Sequence, residues 1–376
     1  MTPQCTVLVD TYNHERFIEE AIVSVLEQDF PQAEREILVV DDGSTDHTAE
    51  IVRKFEPRVR LIQKANGGQA SAFNTGIPEA RGEVVAFLDG DDWWAKKKLS
   101  VITDHFAAHP DVGVVGHGIY EFGSATGGAV SIVPERPGEI RFDSVSGGTF
   151  FRQMMCFFGT SRVTIRREVL SRVLPIPESL VVEADEFMSI MSTAYSTADL
   201  IQRPLTFYRL HEDNLFQIRK SDQAKTRRIQ TVLASLAKQL PARLESASVA
   251  PEVIHAIVEP LDIDSRRLRL TLDGGMPWET FQVEWAKFRL AYKSGSAAYW
   301  TFKAGVLALT LVLPPRCFYQ LHGWYGQSNW RQWRRVLGEP IPRSEISSAP
   351  SNVRRVADLQ AKSESLVRSG TEEKRL

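Results

Sequence analysis

Between Thr6 and Leu88, short β-branched runs alternate with helical patterns, and this alternation restricts the possible fold more than any other feature of the chain. Thr6–Val9 reads as a buried strand, and Phe17, Ile18, Ala21, Ile22 and Val25 then fall on one face of a helix expected from Glu15 to Gln28. Glu36–Val40 is a second strand, and Asp46 caps a helix ending near Phe55. Val59–Ile62, a short helix over Ser71–Glu79, and Glu83–Leu88 complete the series. Strand runs that are apolar almost throughout, with helices between them, predict an α/β fold whose mostly parallel sheet is covered on both faces.

In such sheets ligands gather at the carboxyl ends of the strands. Those ends carry Thr11-Tyr12-Asn13, Asp41-Asp42-Gly43-Ser44, Lys64-Ala65-Asn66-Gly67 and Asp89-Gly90-Asp91-Asp92. Polar residues therefore collect on one rim. Three carboxylates in four residues repel one another unless a cation neutralises them, and oxygen donors of this kind suit Mg²⁺ or Mn²⁺. A solvated acidic turn, with Asp92 favouring a helix start, is the plainer reading of that run alone. The Asp41-Asp42 pair on a second strand end makes the plainer reading harder to sustain, because a turn and a helix cap account for Gly43 and Asp46 but not for two adjacent acids.

The 376-residue chain is long enough for a catalytic core and an appended segment. Its formal net charge of −2 gives no global field for nucleic acid, so no nucleic-acid partner is expected. Cys5, Cys156 and Cys317 lack paired spacing, which fits a reducing compartment. Met1–Asp10 lacks the layout of a signal peptide, so a cytoplasmic catalytic part is expected. Beyond the first sheet segment, Val112–Phe122 and Leu205–Leu210 read as strands, with helices over Arg167–Val173 and Asp185–Tyr195. Past residue 215 the chain becomes helical and more basic, with Ile229, Leu233, Leu236 and Leu240 at helical spacing.

Taken together, Val9-Asp10-Thr11-Tyr12-Asn13, Asp41-Asp42-Gly43-Ser44-Thr45-Asp46, Asn66-Gly67-Gly68-Gln69 leading to Asn74-Thr75-Gly76, and Phe87-Leu88-Asp89-Gly90-Asp91-Asp92 are similar in order and spacing to the inverting glycosyltransferases of family 2. The resemblance covers about residues 4 to 215 and implies the GT-A fold, a Rossmann-like nucleotide-diphospho-sugar transferase sheet, here with a helical C-terminal extension. It implies that Thr11, Asp41 and Asp42 contact the nucleoside, with Asp42 nearer the base, and that Asn66 and Asn74 line the donor. It places the metal on Asp91 and Asp89, with Asp91 the direct ligand and Asp89 also near the donor ribose. Many members carry Arg just before the position of Asn74. Phe73 stands there in this chain, so Lys64 or Gln69 would have to supply that donor contact.

Inverting transfer needs a carboxylate that deprotonates the acceptor hydroxyl. The resemblance puts that base at Asp185, with Glu183 and Glu186 as competitors, and a helix cap is the plainer role for an Asp there. The Phe207-Tyr208-Arg209-Leu210-His211 segment is similar to one that follows the base in the family, so Arg209 or His211 would support the leaving diphosphate. Thr160, Ser161 and Arg166 are candidates for shaping an acceptor pocket. The expected partners are a nucleotide-sugar donor and a saccharide or lipid-linked saccharide acceptor.

The expected organisation is a catalytic domain over 1–215, a helical extension over 216–342 and a polar tail over 343–376. Ala304–Leu313 is apolar but too short to span a bilayer, for which about 20 apolar residues are needed. The arginines that follow it, with Trp324, Trp330 and Trp333, suit a headgroup region, so residues 299–335 are expected either to touch the cytoplasmic face of the inner membrane or to pack on the catalytic domain. Two rival readings are an inactive, membrane-associated relative and a nucleotidyltransferase. The latter class places a Gly-rich basic loop where Thr11-Tyr12-Asn13-His14-Glu15 stands.

Overall fold

The structure, a computed structural model, describes residues 3–123, 128–211, 223–291 and 297–327. In chain order its elements are β1 (Cys5–Thr11), α1 (Ile18–Leu26), β2 (Arg35–Asp41), α2 (Thr48–Arg53), β3 (Arg60–Gln63), α3 (Gln69–Glu79), β4 (Val84–Asp89), β5 (Trp93–Trp94), α4 (Lys98–Ala108) and β6 (Val112–Gly123). Then come β7 (Gly128–Ile132), β8 (Gly138–Ile140), α5 (Val145–Met154), β9 (Thr164–Arg166), α6 (Arg167–Val173), α7 (Ala184–Tyr195) and β10 (Thr197–Arg209). The helices α8 (Gln223–Ser246), α9 (Pro251–Asp273), α10 (Pro277–Ala291), α11 (Ala297–Val312) and α12 (Pro315–Gln327) follow.

The main sheet runs β3-β2-β1-β4-β9-β6-β10-β5, with β7 beside β6 and β8 beside β10. β3, β2, β1 and β4 are parallel, and β10 is parallel to β6, while β9 enters antiparallel to both β4 and β6. The expected α/β sheet is thus present but mixed: β1, β2, β3, β4, β6 and β10 run one way, and the short β5, β7, β8 and β9 run against them. β10 begins eight residues before the expected Leu205, because Thr197–Leu200 are all buried and pair with β6 and β8.

Side-chain alternation along the central strands divides the core in two. Val7, Val9, Ile37, Val39, Ala86 and Leu88 face Ile18, Ile22 and Val25 of α1 and Leu99, Ile102 and Phe106 of α4. Leu8, Leu38, Val40, Val85 and Phe87 face Phe73 and Ile77 of α3 and the helices α6 and α7. The second layer also receives Val232, Leu236, Leu240 and Leu244 of α8 and Val253, Ile257 and Leu261 of α9. Each of those leucines is essentially inaccessible to solvent and contributes about 1.5–3 kcal/mol by burial. The first two helices past residue 215 therefore share a core with the sheet. A separate small cluster of Ile263, Leu270, Val283, Phe318 and Tyr319 joins α9, α10 and α12.

Candidate active site

The carboxyl ends of β1, β2 and β4 lie side by side, because Asp10 is in register with Asp89 and Thr11 with Asp41. This adjacency builds the site, and its two acidic ends differ.

At the end of β2 the acids are tied into their own loop. Asp41 Oδ1 accepts from the Ser44 backbone N–H at 3.0 Å, and its Oδ2 accepts from Gln63 Nε2 at 3.1 Å. Asp42 takes the Lys64 ammonium at 2.6 Å and the backbone N–H groups of Gly67 and Gly68 at 3.0 and 2.7 Å. Gly68 has φ +85°, a conformation that glycine adopts without strain, and this turns its N–H toward Asp42. Asn66 is exposed, its backbone nitrogen close against Gly43.

At the end of β4 the acids face one another. Asp89, Asp91 and Asp92 bring carboxylate oxygens within 4.8 Å of each other. Asp10, which sequence reasoning did not single out, adds a fourth acid from β1. Burial, with the Asp185 and Asp91 charges, pushes its carboxyl well above the ordinary range. Burial and the neighbouring aspartates do the same to Asp89, and burial with Asp91 carries Asp92 to about 7. Asp91 is the exception. Burial raises it, but a 2.9 Å contact to His211 Nε2 and the nearby His14 ring outweigh that and hold it below the usual range. Asp10 Oδ1 and Asp92 Oδ2 are buried with no hydrogen-bond partner among the described residues. Crowded oxygen donors, buried acceptors without donors and carboxyls driven toward protonation are what a divalent cation would relieve, so Asp89 and Asp91 fit the expected metal.

Asp185 reaches this cluster from the first turn of α7. The cap position is Glu183, so Asp185 is not the helix cap that its sequence allows. Its Oδ2 accepts from Thr160 N and Thr160 Oγ1 at 2.9 and 3.1 Å, and burial raises its carboxyl above the ordinary range despite those bonds. The competitors are separated by their partners. Glu186 pairs with Arg152, while burial beside Glu186 and Asp185 pushes Glu183 up to about 9. Gln69 joins the parts: Nε2 donates to Thr160 Oγ1 at 3.0 Å, and Oε1 accepts from Ala184 N at 3.0 Å.

Beneath the acids, Ser161 Oγ bonds Asp89 at both its backbone N–H and its carboxylate, at 3.1 and 3.2 Å. The carbonyl of Ser161 accepts from Lys98 Nζ at 2.9 Å, and that ammonium lies 3.8 Å from the Trp94 ring centroid. Lys98 is wholly buried, and burial drives its pKa well below that of a free lysine. A lone lysine in the Lys96-Lys97-Lys98 run carries no sequence sign that it turns inward. Asp10 did carry one, as an acid interrupting the apolar run Val7–Val9 just before the rim.

Several expected contacts fall elsewhere. The Asn74 amide clamps Ile176, donating to the carbonyl at 2.7 Å and accepting from the N–H at 2.8 Å. Phe73 is fully buried edge-on against Phe87, so its side chain leaves no donor-facing gap. The Arg166 guanidinium bonds the Val112 and Phe106 carbonyls. Thr11 is at the rim, but its hydroxyl contacts His14 Nδ1 at 3.2 Å. Arg209 holds the acidic loop from behind: its Nε donates to the Asp91 carbonyl at 2.9 Å, its N–H to Asp92 at 2.9 Å, and its guanidinium pairs with Glu20 over the Trp93 ring.

Residues 6–169 match the family model described as glycosyl transferase family 2. An uncharacterized glycosyltransferase of Nostoc sp. is 35% identical over 214 residues, which cover 56% of this chain and 65% of the relative, slightly less than two thirds of its length. The poly(ribitol-phosphate) beta-N-acetylglucosaminyltransferase TarS of Staphylococcus aureus is 38% identical over 128 residues, 30% of this chain and 22% of that protein. The solved structure of TarS 1-349 in complex with UDP shares the fold at a TM-score of 0.56 and 19% identity, covering 87% of this chain and 93% of that one. Over residues 6–169 the chain is thus similar to glycosyl transferase family 2, and its acid-lined rim stands on a sheet of the GT-A fold.

Proposed function

We propose that this protein transfers a sugar from a nucleotide-diphosphate donor to a hydroxyl of a saccharide or lipid-linked saccharide, by a single displacement that inverts the anomeric carbon. The observation that carries this reading is the convergence of Asp185 on the Asp89–Asp91 cluster, since Asp185 is bonded to Thr160 and Asp89 to the adjacent Ser161. A divalent cation such as Mg²⁺ or Mn²⁺, held by Asp91 and Asp89, would supply charge stabilisation for the departing diphosphate. Asp185 accepts the acceptor's proton, and its raised pKa makes it a stronger base than a free aspartate. Thr160 and Gln69 fix that carboxylate's orientation. The β2 loop, Asp41 and Asp42 included, forms a preorganised edge for the nucleoside. Arg209 and His211 act on the diphosphate side chiefly by holding Asp91.

The experiment is a panel of nucleotide sugars screened by thermal shift with Mn²⁺, followed by product analysis with the donor that binds. A bound ligand raises the melting temperature. Release of a nucleoside diphosphate with transfer supports the proposal. Release of inorganic diphosphate would replace it with a nucleotidyltransferase reading, and donor binding without turnover would point to the inactive relative.

The membrane contact expected for 299–335 is also a proposal. Among the described residues no helix is long and apolar enough to cross a membrane. Val306 and Leu313 pack inward on the small helical cluster, whereas Leu309, Leu311 and Val312 of α11 are 51%, 47% and 75% exposed. Trp278 and Trp285 on α10 widen this apolar face, and both stack on Phe281. Trp330, Trp333 and the tail over 343–376 lie outside the described residues. Apolar and aromatic side chains exposed together suit a peripheral site on a lipid surface. Failure to co-sediment with anionic liposomes at low salt would remove it.

A further inference from the structure

His14 was not a candidate at the level of sequence, and the structure seats it against the acidic loop. Its backbone is fixed on both sides: its N–H donates to Thr48 Oγ1 at 2.8 Å, and its carbonyl accepts from Phe17 and Ile18, both at 2.9 Å. Asn13, at φ +55°, makes the turn that presents it and is itself latched to Ser44 and Thr45 across the rim. The ring lies against Gly90. A Cβ at that position would come within 2.7 Å of His14 Nδ1 and 2.6 Å of Thr11 Oγ1, so the glycine between Asp89 and Asp91 is what admits the imidazole. Nδ1 meets Thr11 Oγ1 at 3.2 Å, and Nε2 faces Asp91 Oδ2 at 3.9 Å.

That spacing is too long for a hydrogen bond. A cation about 2.1 Å from each of two ligand atoms spans separations up to about 4.2 Å, so one ion can join them. When Nδ1–H donates to Thr11, the lone pair is on Nε2, the arrangement in which a second hydrogen bond fixes a metal-binding histidine. We propose that His14 is a ligand of the divalent cation held at Asp91. The site is then a mixed imidazole–carboxylate one that favours first-row transition ions over Mg²⁺, because imidazole nitrogen suits those ions better than it suits magnesium. The proposal rests on the reading of Asp91 as a metal ligand.

The test measures binding of Mn²⁺, Co²⁺ and Mg²⁺ to the full chain without donor, by calorimetry and, for Co²⁺, by visible absorption. Wild type, His14→Gln, His14→Asn and Asp91→Asn are compared, with circular dichroism and melting to confirm folding. In the His14 variants, Mn²⁺ and Co²⁺ affinity should fall at least about 10-fold while Mg²⁺ affinity falls less, which narrows the preference, and the Co²⁺ spectrum should change. Structural damage would weaken all three ions alike. An equal loss for all ions, or unchanged affinities with an unchanged Co²⁺ spectrum, overturns His14 as a ligand. If Asp91→Asn keeps full affinity, the metal reading of the rim falls instead, and that result is distinct from failure of His14 alone.

Discussion

The two acidic strand ends of the rim look alike in sequence, each a pair of aspartates beside a glycine after a buried strand, yet they are electrostatic opposites. The β2 end is closed: Asp41 and Asp42 spend their oxygens on Ser44, Gln63, Lys64, Gly67 and Gly68. The β4 end is open: Asp10 and Asp89 are pushed toward protonation, and Asp92 keeps a buried oxygen without a partner among the described residues. A closed acidic loop shapes a surface. An open one is where the proposed cation would sit. The difference arises from the surroundings: Lys64 and two glycine N–H groups converge on Asp42 at the β2 end, whereas the β4 end, though it meets Ser161, Arg209 and His211, is bordered by further acids from β1 and α7.

Substitutions can break or sharpen this contrast. The largest effect is expected from Asp91→Ala, which should abolish cation-dependent transfer and leave the melting curve near wild type; full activity would show that the open end is not a metal site. Next, Asp185→Asn should lower turnover about 10²- to 10⁴-fold while donor and metal still bind. In the wild type, the rate should rise with pH through a pKa above the ordinary aspartate range, because the base works only when deprotonated and burial raises its pKa. That limb should vanish from the residual rate of the Asn variant, and its persistence would assign it to another group. The smallest effect on chemistry is expected at the closed end. Asp42→Ala should cost about 1.5–3 kcal/mol of stability by removing the carboxylate that Lys64 and the glycine N–H groups share, with cation affinity unchanged. A variant that stays folded yet loses the cation would erase the distinction between the two ends.

Much of the fold was legible because its signals are local. Apolar runs at strand period and the helical faces of α1 and α8 needed only neighbouring residues, and the positions of β1, β2, β4 and the rim followed from them. The early start of β10 and the reversed β9 were not legible, since their pairing partners lie far away in the chain. Among candidate residues, Asp89 and Asp91 lie together at the end of one strand, while the Asn74 amide bonds a backbone segment about a hundred positions later, a contact that no local pattern signals. Lys98 and His14 were missed for the converse reason: nothing adjacent in sequence marks a lysine as buried or a histidine as facing an aspartate.

Sequence by itself determined the covered parallel sheet, the rim at its strand ends and the acids placed there, because strand period and strand termini are properties of contiguous residues. Only the tertiary structure decided which acids are neutralised by their own loop and which are left open. It alone brought Asp10, His14 and His211 to Asp91 and Asp185 to Asp10, and it alone turned Lys98 inward beneath them. Those outcomes depend on strand order and on which helix crosses the rim. The charge on a carboxylate is set by the groups that surround it in space, and here most of them come from distant parts of the chain.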